Sequence, residues 1–182
     1  MPTAARHRVR LVVNVINGAT AAGLGIALAG GARLARGPEG LLTATGYRPP
    51  VPAAPAFTVG NVIIVTRRWP GPVPLEAAAP RIFAHEARHA SQYAWCGGLL
   101  MLPLYFAAAG VSWAACGDFA AWNVFERQAG LADGGYTDRP PRPALARVRR
   151  RIARRLQGAG PGWCPDGPGP AGPGGSIATP FR

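Results

Sequence analysis

The chain has 182 residues, 48% of them hydrophobic, which suits one domain with a real core and leaves too little for two. Its formal charge of +12 comes from 20 arginines, with no lysine, against eight acids, and eight of those arginines fall between Arg139 and Arg155 with no acid among them. Three cysteines, Cys96, Cys116 and Cys164, are too few and too unevenly spaced for a disulfide framework or a cysteine zinc cluster.

In chain order, a helix is expected from Arg6 to about Ala35, with Gly18, Ala22, Gly25 and Ala29 allowing close packing. Its uncharged part, Leu11 to Ala32, follows basic Arg6, Arg8 and Arg10 and so resembles a signal peptide or signal anchor. Asn14, Asn17 and several glycines dilute it, and Arg33 and Arg36 make both flanks positive. A membrane-associated or cytoplasmic chain is therefore expected ahead of a secreted one. Leu41 to Tyr47 and Phe57 to Val65 read as two strands forming a hairpin or sheet edge, with a Pro-rich connection from Arg48 to Pro55. After a loop from Arg67 to Pro74, Pro80 suits the first turn of a helix that runs to about Cys96, where Gly97-Gly98 stops it.

No charge occurs between His89 and Cys116, and the centre, Leu99 to Phe106, is strongly apolar. A single membrane crossing would part His85 and His89 from every later acid. Gly97-Gly98, Pro103 and Gly110 are therefore read as breaks in an apolar helical hairpin that returns to its own side. Asp118 then suits the N-cap of a helix from Phe119 to about Leu131, which carries Asn123 and Glu126 and ends at Asp133-Gly134-Gly135. Leu145, Val148, Ile152 and Leu156 make an apolar stripe on an arginine-covered helix, and the Gly/Pro-rich end reads as disordered. The expected organisation is α+β, mostly α: a single domain over 1–138, a basic amphipathic helix over 139–157 and a tail over 158–182.

His85-Glu86-Ala87-Arg88-His89 reads HExxH. Histidines at i and i+4 share a helix face, and the glutamate beside the first reaches water held by a metal. A catalytic zinc takes three protein ligands and leaves one position open. The only other histidine, His7, lies in the basic start, so the third ligand must be a carboxylate or a thiol. Glu126, mid-helix beside apolar Phe125 and Trp122, is the candidate that most needs a partner; pairing with Arg88 is its alternative, and Cys96 is the candidate thiol. Glu86 would act as general base to a zinc-activated water that attacks a peptide carbonyl. Gln92 and Asn123 are candidates for orienting a ligand or for plain helix-surface amides. The strand over Phe57 to Val65 could take an extended peptide as an added strand.

The run Ala56-Phe57-Thr58-Val59-Gly60-Asn61-Val62-Ile63, followed by Phe83-Ala84-His85-Glu86-Ala87-Arg88-His89-Ala90-Ser91-Gln92, resembles the minimal zincin-like domain of proteins associated with bacterial contractile injection systems. Asn123-Val124-Phe125-Glu126-Arg127-Gln128-Ala129 is similar to the downstream glutamate helix of such domains, and the whole pattern also resembles a group of small proteins from GC-rich bacteria. The likeness covers Phe57 to Ala129. It implies a short β-hairpin with an HExxH helix and a Glu-bearing helix, His85, His89 and Glu126 as Zn2+ ligands, Glu86 as base, and a peptide or protein substrate.

A second reading is a non-catalytic, membrane-associated scaffold, which a closed four-ligand site, for instance one that adds Cys96, would favour. The arginine helix suits nucleic acid or anionic lipid by charge. The apolar stripe, the apolar hairpin and the lack of a base-reading motif favour a membrane surface over nucleic acid.

Overall fold

The computed structural model describes residues 3–143 and Arg147. Helices α1 (Thr3–Ile16) and α2 (Ala19–Ala29) lead into strands β1 (Arg33–Arg36), β2 (Leu42–Tyr47), β3 (Ala56–Val59) and β4 (Val62–Thr66). Helices α3 (Leu75–Ala78), α4 (Pro80–Trp95), α5 (Met101–Cys116) and α6 (Val124–Ala129) follow. The class is α+β, with a four-stranded sheet in the order β1-β2-β4-β3.

β4 lies inside that sheet because Val62-Ile63-Ile64-Val65-Thr66 is buried at every position, the pattern of a strand covered on both faces. Ile63 and Val65 meet Leu41, Leu75 and, from α4, Phe83, Ala87 and Ala90. Val62 and Ile64, pointing the other way, meet Ala27 of α2 with Ala32, Ala44 and Tyr47. The sheet is thus sandwiched between α2 and α4. β4 pairs parallel with β2 and antiparallel with β3, and β1 pairs antiparallel with β2, so β3 is one free edge.

Gly60-Asn61 turns β3 back into β4. Gly60 has φ 60°, and a Cβ there would lie 2.5 Å from the Ala19 carbonyl carbon, so the turn and the start of α2 touch backbone to backbone. Asn61 is buried beneath it. Its Nδ2 donates to Leu11 O at 3.0 Å and Thr20 Oγ1 at 2.9 Å, and its Oδ1 accepts from Asn14 Nδ2 at 3.1 Å. Asn14 Nδ2 also donates to Ala90 O at 2.8 Å, which fixes α4 against α1. Of the asparagines that dilute the apolar N-terminal stretch, Asn14 is therefore a core hydrogen-bonding group, and half-buried Asn17 accepts from Ala19 N at 3.0 Å where α2 begins.

The helix expected over Arg6 to Ala35 is two helices bent by 74°, because Asn17-Gly18 breaks it, and Gly30-Gly31 releases Arg33–Arg36 as a strand. The strand expected over Phe57 to Val65 is itself the hairpin, folded at Gly60-Asn61; the strand before it joins β4 in parallel instead of forming a hairpin with it. Of the breaks expected in the apolar segment, Gly97-Gly98 does part α4 from α5, but α5 itself is continuous from Met101 to Cys116. Pro103 sits in the first turn of α5, where no backbone N–H is needed, and Gly110 is accommodated without a break. The last helix begins at Val124, not Phe119, because Ser112 Oγ takes the Trp122 N–H at 2.8 Å and Asp118 Oδ1 takes those of Ala120 and Ala121 at 2.9 Å each, holding 118–122 in turns. The basic helix expected over 139–157 lies outside the described residues from 144 on, Arg147 excepted, as does the tail.

Among the described residues no single helix is long and apolar enough to cross a membrane; α1 and α2 together reach the length and composition but are bent. Replacing Asn61 with Ala removes an acceptor from Asn14 Nδ2 and the donor to Leu11 O and Thr20 Oγ1, and should lower stability by about 2–4 kcal/mol. Denaturant unfolding measures this, and a change below about 0.5 kcal/mol would show that the asparagine pair is not structural.

Candidate metal centre

α4 carries the HExxH residues in its middle, where regular helix fixes their spacing: His85, Glu86 and His89 are all buried. α6 brings Glu126 to them. His85 Nε2 and His89 Nε2 lie 3.0 Å apart, and Glu126 Oε2 is 3.1 Å from the first and 3.6 Å from the second. Ligand atoms about 2.0–2.1 Å from a tetrahedral ion stand about 3.3 Å from one another, so this triangle has the dimensions of a three-ligand site.

Hydrogen bonding on the outer sides of the rings decides what faces inward. His85 Nδ1 lies 3.1 Å from Gly130 O, which can only accept, so this nitrogen carries a proton. Gln92 donates through Nε2 to Phe125 O at 2.9 Å, which turns its Oε1 to His89 Nδ1 at 2.8 Å, so that nitrogen also donates. Both neutral rings then present Nε2 lone pairs to each other and to a carboxylate oxygen that has no hydrogen-bond donor of its own. Three acceptors converge in a buried space. A single proton can bridge two of them, whereas a cation satisfies all three, so the residues fit a metal ion on this structure's own geometry.

The charges respond accordingly. When a proton instead of a cation occupies the space, burial raises the proton affinity of Glu126, but a hydrogen bond from a protonated His85 or His89 ring outweighs it and holds the carboxyl well below the usual range. For His89, burial opposes the charged ring, yet the bond to Glu126 and the charge of Glu86 lift it above the ordinary value. Glu86 goes the other way: burial pushes its carboxyl up, against the pull of His89 and Thr58.

Neighbouring turns hold the rings. A Cβ on Gly134 would lie 2.5 Å from His85 Cε1, so only glycine lets this turn close over the ring. Arg88, in the middle of the motif, faces away from the histidines and bonds Asp133 Oδ2 at 2.8 Å and Ala129 O, which ties the same turn to α4. Arg88 therefore pairs with Asp133 and leaves Glu126 to the histidines. Asn123 is buried but does not touch a ligand: it caps α6 by accepting from Phe125 N at 3.0 Å, and so sets the helix that carries Glu126. Neither it nor Gln92 is a surface amide.

Cys96 is not in the cluster. It packs against the group formed by Ala19, Val59, Tyr93 and Met101, and it, at the end of α4, and Cys116, at the end of α5, are free thiols. His85, His89 and Glu126 are the one His/Cys/Asp/Glu group with ligand spacing among the described residues.

Three residues at the site were not picked out from the sequence. Thr58 Oγ1, on β3, donates to Glu86 Oε2 at 2.7 Å; Tyr105 OH, on α5, donates to Glu126 Oε1; and Tyr136 stands with its ring 6.1 Å from His85. Burial pushes both phenols up, so they stay neutral donors. Tyr105 is the one hydrogen-bonding side chain between Gly97 and Val111, a signal that could have found it. The cluster opens on a cavity of about 410 Å3, lined by β3, α4, the Val51–Ala54 segment and the inner side of α5. No protein-family model, curated protein or solved structure matches the chain.

Protons and a cation compete for the same Nε2 lone pairs, and the proton affinity of His89 is raised. Zinc affinity, read by competition with a chromophoric chelator, should therefore begin to fall while the pH is still above the 6.5 of an ordinary histidine. Gln92→Leu removes the acceptor that orients His89 and should weaken zinc about 10–100-fold. Unchanged affinity would mean that the amide does not control the ring.

Proposed function

We propose that the protein is a zinc-dependent metallopeptidase with a zincin-like core, in which His85, His89 and Glu126 hold the ion. The observation that carries this reading is the convergence of two Nε2 lone pairs and an orphaned carboxylate oxygen beside a buried glutamate and an open cavity. A bound Zn2+ supplies Lewis acidity at such a site, lowering the pKa of water toward about 7 and polarising a carbonyl.

Glu86 supplies the base. Its Oε2 is held by Thr58, whose hydroxyl also reaches the Glu86 carbonyl at 3.2 Å, so the carboxylate is fixed against β3 with its raised proton affinity directed to the cavity that it lines. That affinity favours taking a proton from water and returning it to a leaving amine. Tyr136, a neutral phenol on the cavity wall, would donate to the oxyanion that develops as the carbonyl is attacked.

The edge strand supports a peptide as substrate. Pro55 O accepts from Thr66 N on β4, and alternation along β3 then turns the backbone N–H and C=O of Ala56 and Thr58 outward from the sheet. An extended chain added there would run past Glu86, because Thr58 contacts both. Three ligands facing a cavity support turnover over the alternative of a closed structural site, whose suggested fourth ligand, Cys96, lies in an apolar cluster.

Elemental analysis and a peptide-library cleavage assay read by mass spectrometry test this. The wild-type chain should hold one zinc and cleave; Glu86→Gln should keep the zinc and lose about 10²–10⁴-fold in rate. His85→Ala or Glu126→Ala should lose the zinc, and retention of metal by the Glu126 variant would overturn its assignment. Tyr136→Phe should lower kcat by about 10-fold or more with little change in KM.

A further inference from the structure

α5 has two unlike faces. Met101, Ala109, Ser112 and Ala115 are buried, and Tyr105 beside them reaches Glu126. On the opposite side Leu100, Pro103, Leu104, Ala107, Gly110, Val111 and Ala114 are exposed, at helical spacings of three and four residues. That stripe runs about 21 Å without one hydrogen-bonding side chain. A surface helix on a water-soluble domain ordinarily turns polar residues outward, and here the outward face is as apolar as the inward one.

The ends and flank of the stripe are equally telling. Trp95 precedes α5 and is 88% exposed; Phe106, on the flank, is 68% exposed and also lines the cavity. At the other end Trp113 stacks on exposed Phe119, with ring centroids 6.3 Å apart, and the Arg142 guanidinium lies 5.1 Å over the Trp113 ring. Tryptophan and arginine at the margins of an apolar band match the headgroup level of a bilayer. Sixteen residues span about 24 Å, short of the hydrocarbon thickness of about 30 Å, so the helix suits lying in the interface plane.

Charge selects the occupant. The chain carries +12, no residue from Ala90 to Gly117 is charged, and the first acid after them, Asp118, is paired with Arg139 at 3.3 Å. A second copy of a chain with this charge is repelled, whereas an anionic membrane surface is attracted. We infer that the exposed face of α5, with Trp95, Phe106 and Trp113 at its margin, docks the protein in the plane of a bilayer that contains anionic lipid. This holds whatever the metal centre does.

Co-sedimentation of the full chain with vesicles of phosphatidylcholine alone, and of phosphatidylcholine with phosphatidylglycerol, tests it. The wild type should bind the anionic vesicles, more weakly the neutral ones, with a blue shift of tryptophan emission. Leu100→Asp/Val111→Asp places two charges on the stripe at positions outside the cavity and the metal cluster, and should cut binding about tenfold or more. An unchanged thermal melt and zinc content show that this variant is folded; if it does not fold, the milder Val111→Ser variant is read instead. Binding by the folded variant at the wild-type level would overturn the assignment to α5 in favour of the basic residues alone. A wild type that ignores both vesicles would overturn it too, and a concentration-dependent dimer abolished by the substitutions would assign the face to a second copy.

Discussion

Two imidazoles whose lone pairs face each other across 3.0 Å, with a carboxylate oxygen completing the triangle, form an arrangement that repels itself unless something positive lies within it. Burial makes the conflict sharper, since no solvent dipole is there to relieve it. Much of the surrounding architecture acts to keep these three groups from turning away. The Gly130 carbonyl and Gln92 fix the two rings from behind, Tyr105 fixes the carboxylate, and Asn123 starts the short helix on which that carboxylate rides. α4 in turn is held by Asn14 and by Thr58, one from each side. The cluster is held in place by its surroundings, so the three groups keep one geometry.

α5 couples this polar centre to an apolar exterior. One side of the helix delivers a phenol to Glu126, and the other is a continuous hydrocarbon surface, with Phe106 shared between the cavity and the outside. Attachment through the outer side would leave the metal cluster on the remote side of the same helix, within one helix diameter of about 10 Å from the lipid. Position and chemistry would then be set by a single segment. Conformational strain in α5 would be felt at both.

What was readable from the residues follows physical distance. The extent of α4 was legible because Pro80 and Gly97-Gly98 are local signals, and the HExxH pair was legible because its geometry is contained in one turn. Glu126 was reachable by asking which acid had apolar neighbours, and its partners are indeed histidines and a phenol instead of an arginine. The sheet was misread where local cues competed. Gly60-Asn61 is a hairpin signal embedded in a β-branched run, and the run's hydrophobicity masked it. The parallel pairing of β2 with β4 depends on burying β4 on both faces, a property of the assembled layers. Gly134 and Tyr136 owe their roles to a turn that folds back over α4, which no spacing within the chain announces.

The bond from Asn14 to Ala90 joins residues 76 positions apart, and the Asn61 node ties the same helix to the middle of the chain. During synthesis from the N-terminus, α1 and α2 emerge well before either partner exists. Until β4 has left the ribosome Ala27 has no complete sheet to cover, and until residue 90 has, the amide of Asn14 lacks the Ala90 carbonyl. Closing contacts of such separation is slow compared with forming the helices themselves. The two N-terminal helices must therefore wait, hydrophobic and uncommitted, and the time they wait is set by translation as well as by their own sequence.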